Sequence, residues 1–200
     1  NALIHDFPQD YARLYSQKSY TFNKITQPNR NRLLFIDPSV DGMKTGHTES
    51  AGYCLISSAK RGDFRLISVV LGTASDNVRA AESQKLLNFG FQFYESKRIY
   101  EAQQPITQQR VWKGTASQVA LTVAHPVYVT LPQGEYANMK ANLRIPAPLQ
   151  APLSAGQVVG KVEFSLQGKV LFSEPLVTAQ AVPQANIVAR LLDQIRLYLQ

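Results

Sequence analysis

Hydrophobic and polar positions along this chain follow first a helical and then an alternating period, and the change marks its organisation. Near residues 8–17, Pro8 followed by Tyr11, Leu14 and Tyr15 on one face predicts a short helix. Gln27-Pro28-Asn29-Arg30-Asn31-Arg32 is polar and turn-rich. The runs Gly52–Ser58 and Phe64–Leu71 predict two strands, joined through Lys60-Arg61-Gly62-Asp63 as an antiparallel hairpin. Gly72 ends the second strand, and Asp76 or Ser75 caps a helix over about 77–95 with Val78, Leu86, Phe89 and Phe93 as its apolar positions. Strand, strand and helix in this order predict an α+β architecture.

After about residue 105 the helical period vanishes. Short strands are predicted at Val119–Val123, Val127–Leu131, Met139–Ile145, Val158–Leu166 and Val170–Phe172, separated by prolines and glycines. Such spacing predicts a small all-β sandwich, with Gln167-Gly168 as a tight hairpin turn. The last segment turns helical again. At ~100° per residue, Ile187, Val188, Leu191, Leu192, Ile195, Tyr198 and Leu199 share one face and Arg190, Asp193, Gln194 and Arg196 the other, leaving Leu197 an outlier. Two readings stand for this helix: it lies flat on a bilayer, or it docks on the sandwich. The expected domains are 1–105, 106–182 and the helix 183–200.

Net charge is +7 and the sequence pI about 9.6. The basic residues are scattered, which argues against a nucleic-acid groove and suits work beside anionic lipid or an anionic polymer. Cys54 is the single cysteine, so no internal disulfide forms; in a strand it reads as a small core hydrophobe. No run approaches the roughly 20 apolar residues of a membrane span. The start Asn1-Ala2-Leu3 has neither Met nor a leader pattern, so a processed or excised piece is expected. His5 and His125 have no visible partners, and neither a metal site nor a cofactor is expected.

The candidate chemistry lies in Val40-Asp41-Gly42-Met43-Lys44-Thr45-Gly46-His47. Lys44-Thr45-Gly46 spells the K-T-G element of serine acyl-transfer sites. Lys44 offers a cation to a substrate carboxylate or a proton network, Thr45 a hydroxyl, and Gly46 a backbone without a Cβ to block a ligand. A basic strand end with a turn glycine is the plainer reading of the tripeptide alone. Asp41-Gly42 is read as the turn presenting Lys44. Ser57-Ser58-Ala59-Lys60 and Ser75-Asp76-Asn77 spell S-x-x-K and S-D-N, but both follow K-T-G, and they read as a strand end and a helix cap. Arg61-Gly62-Asp63 reads as a hairpin turn and Trp112 as a domain-packing residue.

The neighbourhood is more specific. Gln27-Pro28-Asn29-Arg30-Asn31, Val40–Thr48, Ala51-Gly52-Tyr53, Arg65–Val70, Glu82–Leu87, Val111-Trp112, Ala151-Pro152-Leu153 and Gly156–Gly160 together resemble the type-5 penicillin-binding proteins, across essentially the whole chain. That resemblance implies the C-terminal part of a β-lactamase/transpeptidase-like domain, a β-sandwich domain and an amphipathic helix on the inner membrane. It implies a periplasmic serine D-alanyl-D-alanine carboxypeptidase acting on peptidoglycan pentapeptides and acylated by β-lactam antibiotics. It also implies substrate-binding roles for Lys44, Thr45, Gly46 and His47, with Arg30 near the substrate carboxylate. Arg30 as a solvated loop residue and His47 as a structural hydrogen-bonding group remain open. In the family the S-x-x-K serine and the S-x-N motif precede K-T-G, so no catalytic nucleophile is expected in this chain and residues 1–200 alone are expected to be inactive. A β-lactamase and a non-catalytic interaction module are the alternatives; an endopeptidase would use the same site.

Overall fold

The structure, a computed structural model, describes residues 1–146 and 148–199. The chain divides into two compact units, Asn1–Glu95 and Ser96–Gln200.

The first unit opens with helices α1 (Ala2–Asp6) and α2 (Pro8–Tyr15), Pro8 occupying the first turn of α2. Strands β1 (Ser19–Phe22) and β2 (Ile25–Pro28) form a separate antiparallel hairpin, and α3 (Leu33–Ile36) follows. The central sheet has the order β3 (Val40–Thr48), β4 (Gly52–Arg61), β5 (Phe64–Thr73), all antiparallel, so β3 is an edge strand. Helix α4 (Asp76–Phe93) starts at Ser75, whose hydroxyl accepts the Val78 amide at 3.2 Å.

Three local expectations are overturned. The buried face of α4 is Arg79, Ala80, Ser83 and Leu87, while Val78, Leu86, Phe89 and Phe93 are exposed. The sheet approaches α4 too closely for bulk: a Cβ on Gly90 would collide with the Leu66 side chain. Ala80, Ser83 and Gly90 give the sheet that room beside buried Leu87, while Phe89 and Phe93 are exposed. Second, Asp41 and Gly42 lie inside β3, at a register shift between Val40 and Gly42, and form no turn. Third, Gln27-Pro28 belongs to β2 of the β1–β2 hairpin. The alternation Tyr20-x-Phe22 before Asn23-Lys24 carried that signal.

Strand β6 (Tyr94–Tyr100) begins at the division, and the second unit continues with β7 (Thr107–Trp112), β8 (Gln118–Thr122), β9 (Val127–Pro132), β10 (Met139–Arg144), β11 (Leu149–Gln150), β12 (Val158–Leu166), β13 (Lys169–Thr178) and helix α5 (Ile187–Tyr198). A six-stranded sheet, β10-β12-β13-β8-β7-β11, accompanies the pair β6-β9. Val127, Val129 and Leu131 of β9 pack with Val162, Phe164 and Leu176 of the larger sheet, which makes the expected sandwich. The α+β class and C-terminal helix hold as expected. β13 is longer than the expected Val170–Phe172 and runs through Pro175, where it pairs with β12 alone because β8 joins only at Val177 and Thr178.

Asn186 caps α5 by accepting the Ala189 amide at 2.9 Å. The Asp193 carboxylate accepts the Lys113 amide at 2.7 Å and so ties the helix to the sandwich. Ala189, Asp193 and Leu197, four apart, are the half-buried positions, which explains Leu197. The apolar stripe faces outward, with Ile187 80%, Leu191 62% and Tyr198 89% exposed. Among the described residues no helix is long and apolar enough to cross a membrane.

Candidate active site

Lys44, Thr45, Gly46 and His47 all lie on β3, paired through Lys44↔Ile56, Thr45↔Leu55, Gly46↔Cys54 and His47↔Tyr53. Among the described residues the opposite edge of β3 has no partner strand, and it borders a cleft of about 1330 Å³. Thr45, Gly46, His47, Arg30, Arg32, Tyr53, Asp76 and Arg79 line it, together with Lys44 and the β1–β2 hairpin. A free strand edge offers backbone donors and acceptors to an extended chain laid beside it. The K-T-G tripeptide is thus part of the edge strand itself and sits where a peptide can align.

The strand is held from several sides. Tyr11 packs over Gly42 closely enough that a Cβ there would strike its phenol. The Tyr11 hydroxyl donates to Asp41 at 2.8 Å, and Arg65 pairs with the same carboxylate at 2.8 Å and reaches the Ser58 hydroxyl at 2.5 Å. Burial and the adjacent Asp41 carboxylate push the Tyr11 phenol up to about 12, so it remains a neutral donor. Asn31, fully buried, donates to the Gly42 carbonyl at 3.0 Å and accepts the Leu33 amide at 3.2 Å. Its own amide bonds the Asn29 side chain at 2.9 Å. These contacts fix the strand that presents Lys44.

Arg79 is the residue the sequence reading missed. It is 4% exposed, and its guanidinium donates to the Gly46 carbonyl at 3.2 Å and the Arg30 carbonyl at 3.3 Å. It also lies 5.4 Å from the centre of the Tyr53 ring, against which the His47 ring packs at 3.9 Å. One buried cation therefore joins the tripeptide to the loop carrying Arg30. The readable signal was its place in the series 79, 83, 87, the buried stripe of α4.

Arg30 and Lys44 are exposed; the Lys44 ammonium donates to the Thr45 carbonyl at 2.6 Å. Arg32 pairs with Asp76 at 2.7 Å, which neutralises the carboxylate lining the cleft. Arg30, Lys44 and Arg79 then leave an excess of positive charge suited to an anionic end group. The aliphatic hydroxyls of the cleft, Ser19 and Thr45, have no general base bonded to them among the described residues. Ser57 is buried, bonded to Ser68 at 2.6 Å, and lies an odd number of strand positions from exposed Lys60, on the opposite face of β4. It is no activated nucleophile. Ser75 is the α4 cap. Among the described residues no group of His, Cys, Asp or Glu could hold a metal ion.

Residues 1–75 match the D-alanyl-D-alanine carboxypeptidase family, and residues 94–184 match the family described as penicillin-binding protein 5, C-terminal domain. The chain is 47% identical over 194 residues to the D-alanyl-D-alanine carboxypeptidase DacC of Escherichia coli K12, covering 96% of this chain and 48% of that protein. It is 42% identical over 198 residues to DacA of the same strain, covering 98% and 49%. The solved structure of penicillin binding protein 5 from Haemophilus influenzae superposes with a TM-score of 0.85 at 44% identity, covering 92% of this chain and 54% of that one. The chain spans about half the length of the curated relatives it matches. By sequence in both of its units and by fold, the chain belongs to the penicillin-binding protein 5 family of D-alanyl-D-alanine carboxypeptidases.

Proposed function

We propose that the parent protein is a serine D-alanyl-D-alanine carboxypeptidase and that this chain supplies its substrate-recognition wall. The observation that carries the reading is the braced edge strand: Lys44, Thr45, Gly46 and His47 border a positively charged cleft, and Arg79 ties Gly46 to Arg30. An extended peptide lies along the free edge of β3 with its terminal carboxylate toward Thr45, Arg30 and Lys44. His47, packed on Tyr53, orders that end of the strand.

A serine outside residues 1–200 attacks the carbonyl between the two D-alanines. Its proton passes to the departing amine, terminal D-alanine leaves, and water hydrolyses the ester. β-Lactams present a comparable carboxylate and carbonyl and acylate the same serine. Residues 1–105 complete the transpeptidase-like domain, residues 106–182 form the sandwich, and residues 183–200 rest on the outer face of the inner membrane, in the periplasm. The outward apolar stripe of α5 supports that last placement.

Fluorescent penicillin tests the reading. The full-length parent becomes covalently labelled and releases D-alanine from a pentapeptide, whereas residues 1–200 alone remain unlabelled. Labelling of residues 1–200, or a parent inert to both reagents, overturns it. For the helix, flotation with liposomes containing anionic lipid compares chains with and without residues 184–200; equal partitioning overturns the membrane placement.

A further inference from the structure

The β1–β2 hairpin is amphipathic in an unusual sense. Cross-strand register places Tyr20 opposite Gln27 and Phe22 opposite Ile25 on one face, and Thr21 opposite Thr26 on the other. The threonine hydroxyls bond each other at 2.8 Å, so that polar face is satisfied internally. The other face is apolar apart from Gln27 and uncovered, with Tyr20 64%, Phe22 72% and Ile25 61% exposed. All three side chains line the same cleft as Lys44, Thr45, Gly46 and His47.

The hairpin is built to hold that face in place. Asn23 and Lys24 form its turn, both with positive φ (47° and 63°), the backbone of a tight turn that sets the register. At its base the Asn29 amide donates to the Lys18 carbonyl at 2.7 Å, and the Asn29 side chain donates to the Gln17 carbonyl at 2.9 Å. The next residue is Arg30, whose carbonyl Arg79 holds. One rigid segment thus presents a cation at its root and an apolar wall along its length.

A ligand that fits such a cleft is anionic at its end and aliphatic in its body. Resting on the carboxypeptidase reading, we infer that Phe22, Ile25 and Tyr20 determine specificity by gripping the aliphatic side chain of the residue that precedes the D-Ala-D-Ala pair. The cations take the terminal carboxylate, the β3 edge takes the backbone, and the hairpin reads the side chain. Continuity with the K-T-G strand in one cleft argues for the substrate itself as the occupant.

The test compares two peptides in the full-length parent, Nα,Nε-diacetyl-L-Lys-D-Ala-D-Ala and N-acetyl-Gly-D-Ala-D-Ala. A hydrophobic subsite of this size discriminates by about 10-fold or more. The ratio of kcat/KM values, lysine peptide over glycine peptide, should exceed ~10 in the parent and fall about tenfold in Phe22→Ala and several-fold in Ile25→Ala. Thr21→Ala, on the opposite face of the same hairpin, should keep the parental ratio. An unchanged ratio in Phe22→Ala overturns the inference, as does an equal fall in Thr21→Ala, which would mark hairpin integrity as the cause. A parent that hydrolyses neither peptide overturns the carboxypeptidase reading, and this inference with it.

Discussion

The two units bury different chemistry. The core of the sandwich is almost entirely apolar: Val119, Leu121, Val123, Val129, Val162, Phe164 and Leu176 are fully enclosed, with Thr122, Ser165 and Thr178 at its margins. The first unit encloses Leu33, Leu55 and Leu87, yet also Asn31, Asp37, Ser57, Ser58, Ser68, Arg79 and Ser83. Apolar burial is non-directional and stabilises whatever arrangement packs well, whereas buried hydrogen bonds hold particular atoms in particular places. The unit bearing the cleft has the second kind of core, and two of its polar residues, Asn31 and Arg79, bond β3 directly at the Gly42 and Gly46 carbonyls. The difference teaches that the K-T-G strand is braced by polar groups of its unit's core, while the sandwich is stabilised by packing.

The largest effect belongs to the apolar core. Phe164, stacked on Phe172 at 4.8 Å, should lose about 3–5 kcal/mol of stability on replacement by alanine, and far less as leucine. Trp112, the chain's one tryptophan, is buried in the same unit, so its fluorescence during urea unfolding reads this loss directly. In the first unit Arg79→Met should cost about 2–3 kcal/mol, because two carbonyls lose a charged donor. Unlike Phe164→Ala, it should also raise KM for D-Ala-D-Ala peptides in the full-length parent. Arg79→Lys should not restore KM, since an ammonium cannot reproduce the planar fork that spans both carbonyls. A Phe164 variant that raises KM as much would break the comparison.

The two cores were not equally legible. Alternation in Val127-Tyr128-Val129-Thr130-Leu131 and the turn at Gln167-Gly168 announce strands because a sheet with one buried face imposes a period of two. The amphipathic stripe of α5 was legible for the analogous reason. The apolar periodicity of α4 misled: its close approach to the sheet selects Ala80, Ser83 and Gly90 beside Leu87, and Val78, Leu86, Phe89 and Phe93 are left exposed. Of the cleft, K-T-G could be named from a local string and His47 and Arg30 through the family resemblance, and the structure brings them to one cleft. The braces could not, since Arg79 meets Gly46 and Arg30 across 33 and 49 residues, and Tyr11 meets Asp41 across 30. Hydrogen bonds between distant segments leave no period in a sequence.

Smaller perturbations sharpen the contrast. Asn31→Ala strands the Gly42 carbonyl and the Leu33 amide in a buried site and should cost about 1–3 kcal/mol, measured by urea unfolding followed by circular dichroism. Ser57 and Ser68 bond only each other, so either alanine substitution alone should cost about 1 kcal/mol and the double substitution close to nothing. Such a double-mutant cycle would show that this pair, unlike Asn31, is replaceable by apolar packing.

The smallest effect is a pH dependence that both units share but that salt separates. Burial pushes the Asp37 carboxyl up, but hydrogen bonds from the Ser39 hydroxyl and amide and from Gln84, with the Arg61 charge, outweigh it and hold the carboxyl below its ordinary value. A group depressed in the folded state stabilises above its unfolded pKa, about 4, and loses that contribution as pH falls through the folded value. Wild type should therefore lose more stability on acidification than Asp37→Asn. The sandwich has a carboxylate of the same sign in Glu163, lowered by hydrogen bonds from exposed Lys161 and Arg144. Salt separates the two. At about 1 M the screening length shrinks to ~3 Å, which weakens the exposed cluster at Glu163. The hydroxyl, amide and carboxamide donors around Asp37 are neutral and persist. The difference between wild type and Asp37→Asn should survive high salt, whereas that between wild type and Glu163→Gln should collapse. If both collapse, Asp37 is held by Arg61 alone, and the polar core positions the sheet by charge rather than by directed hydrogen bonds.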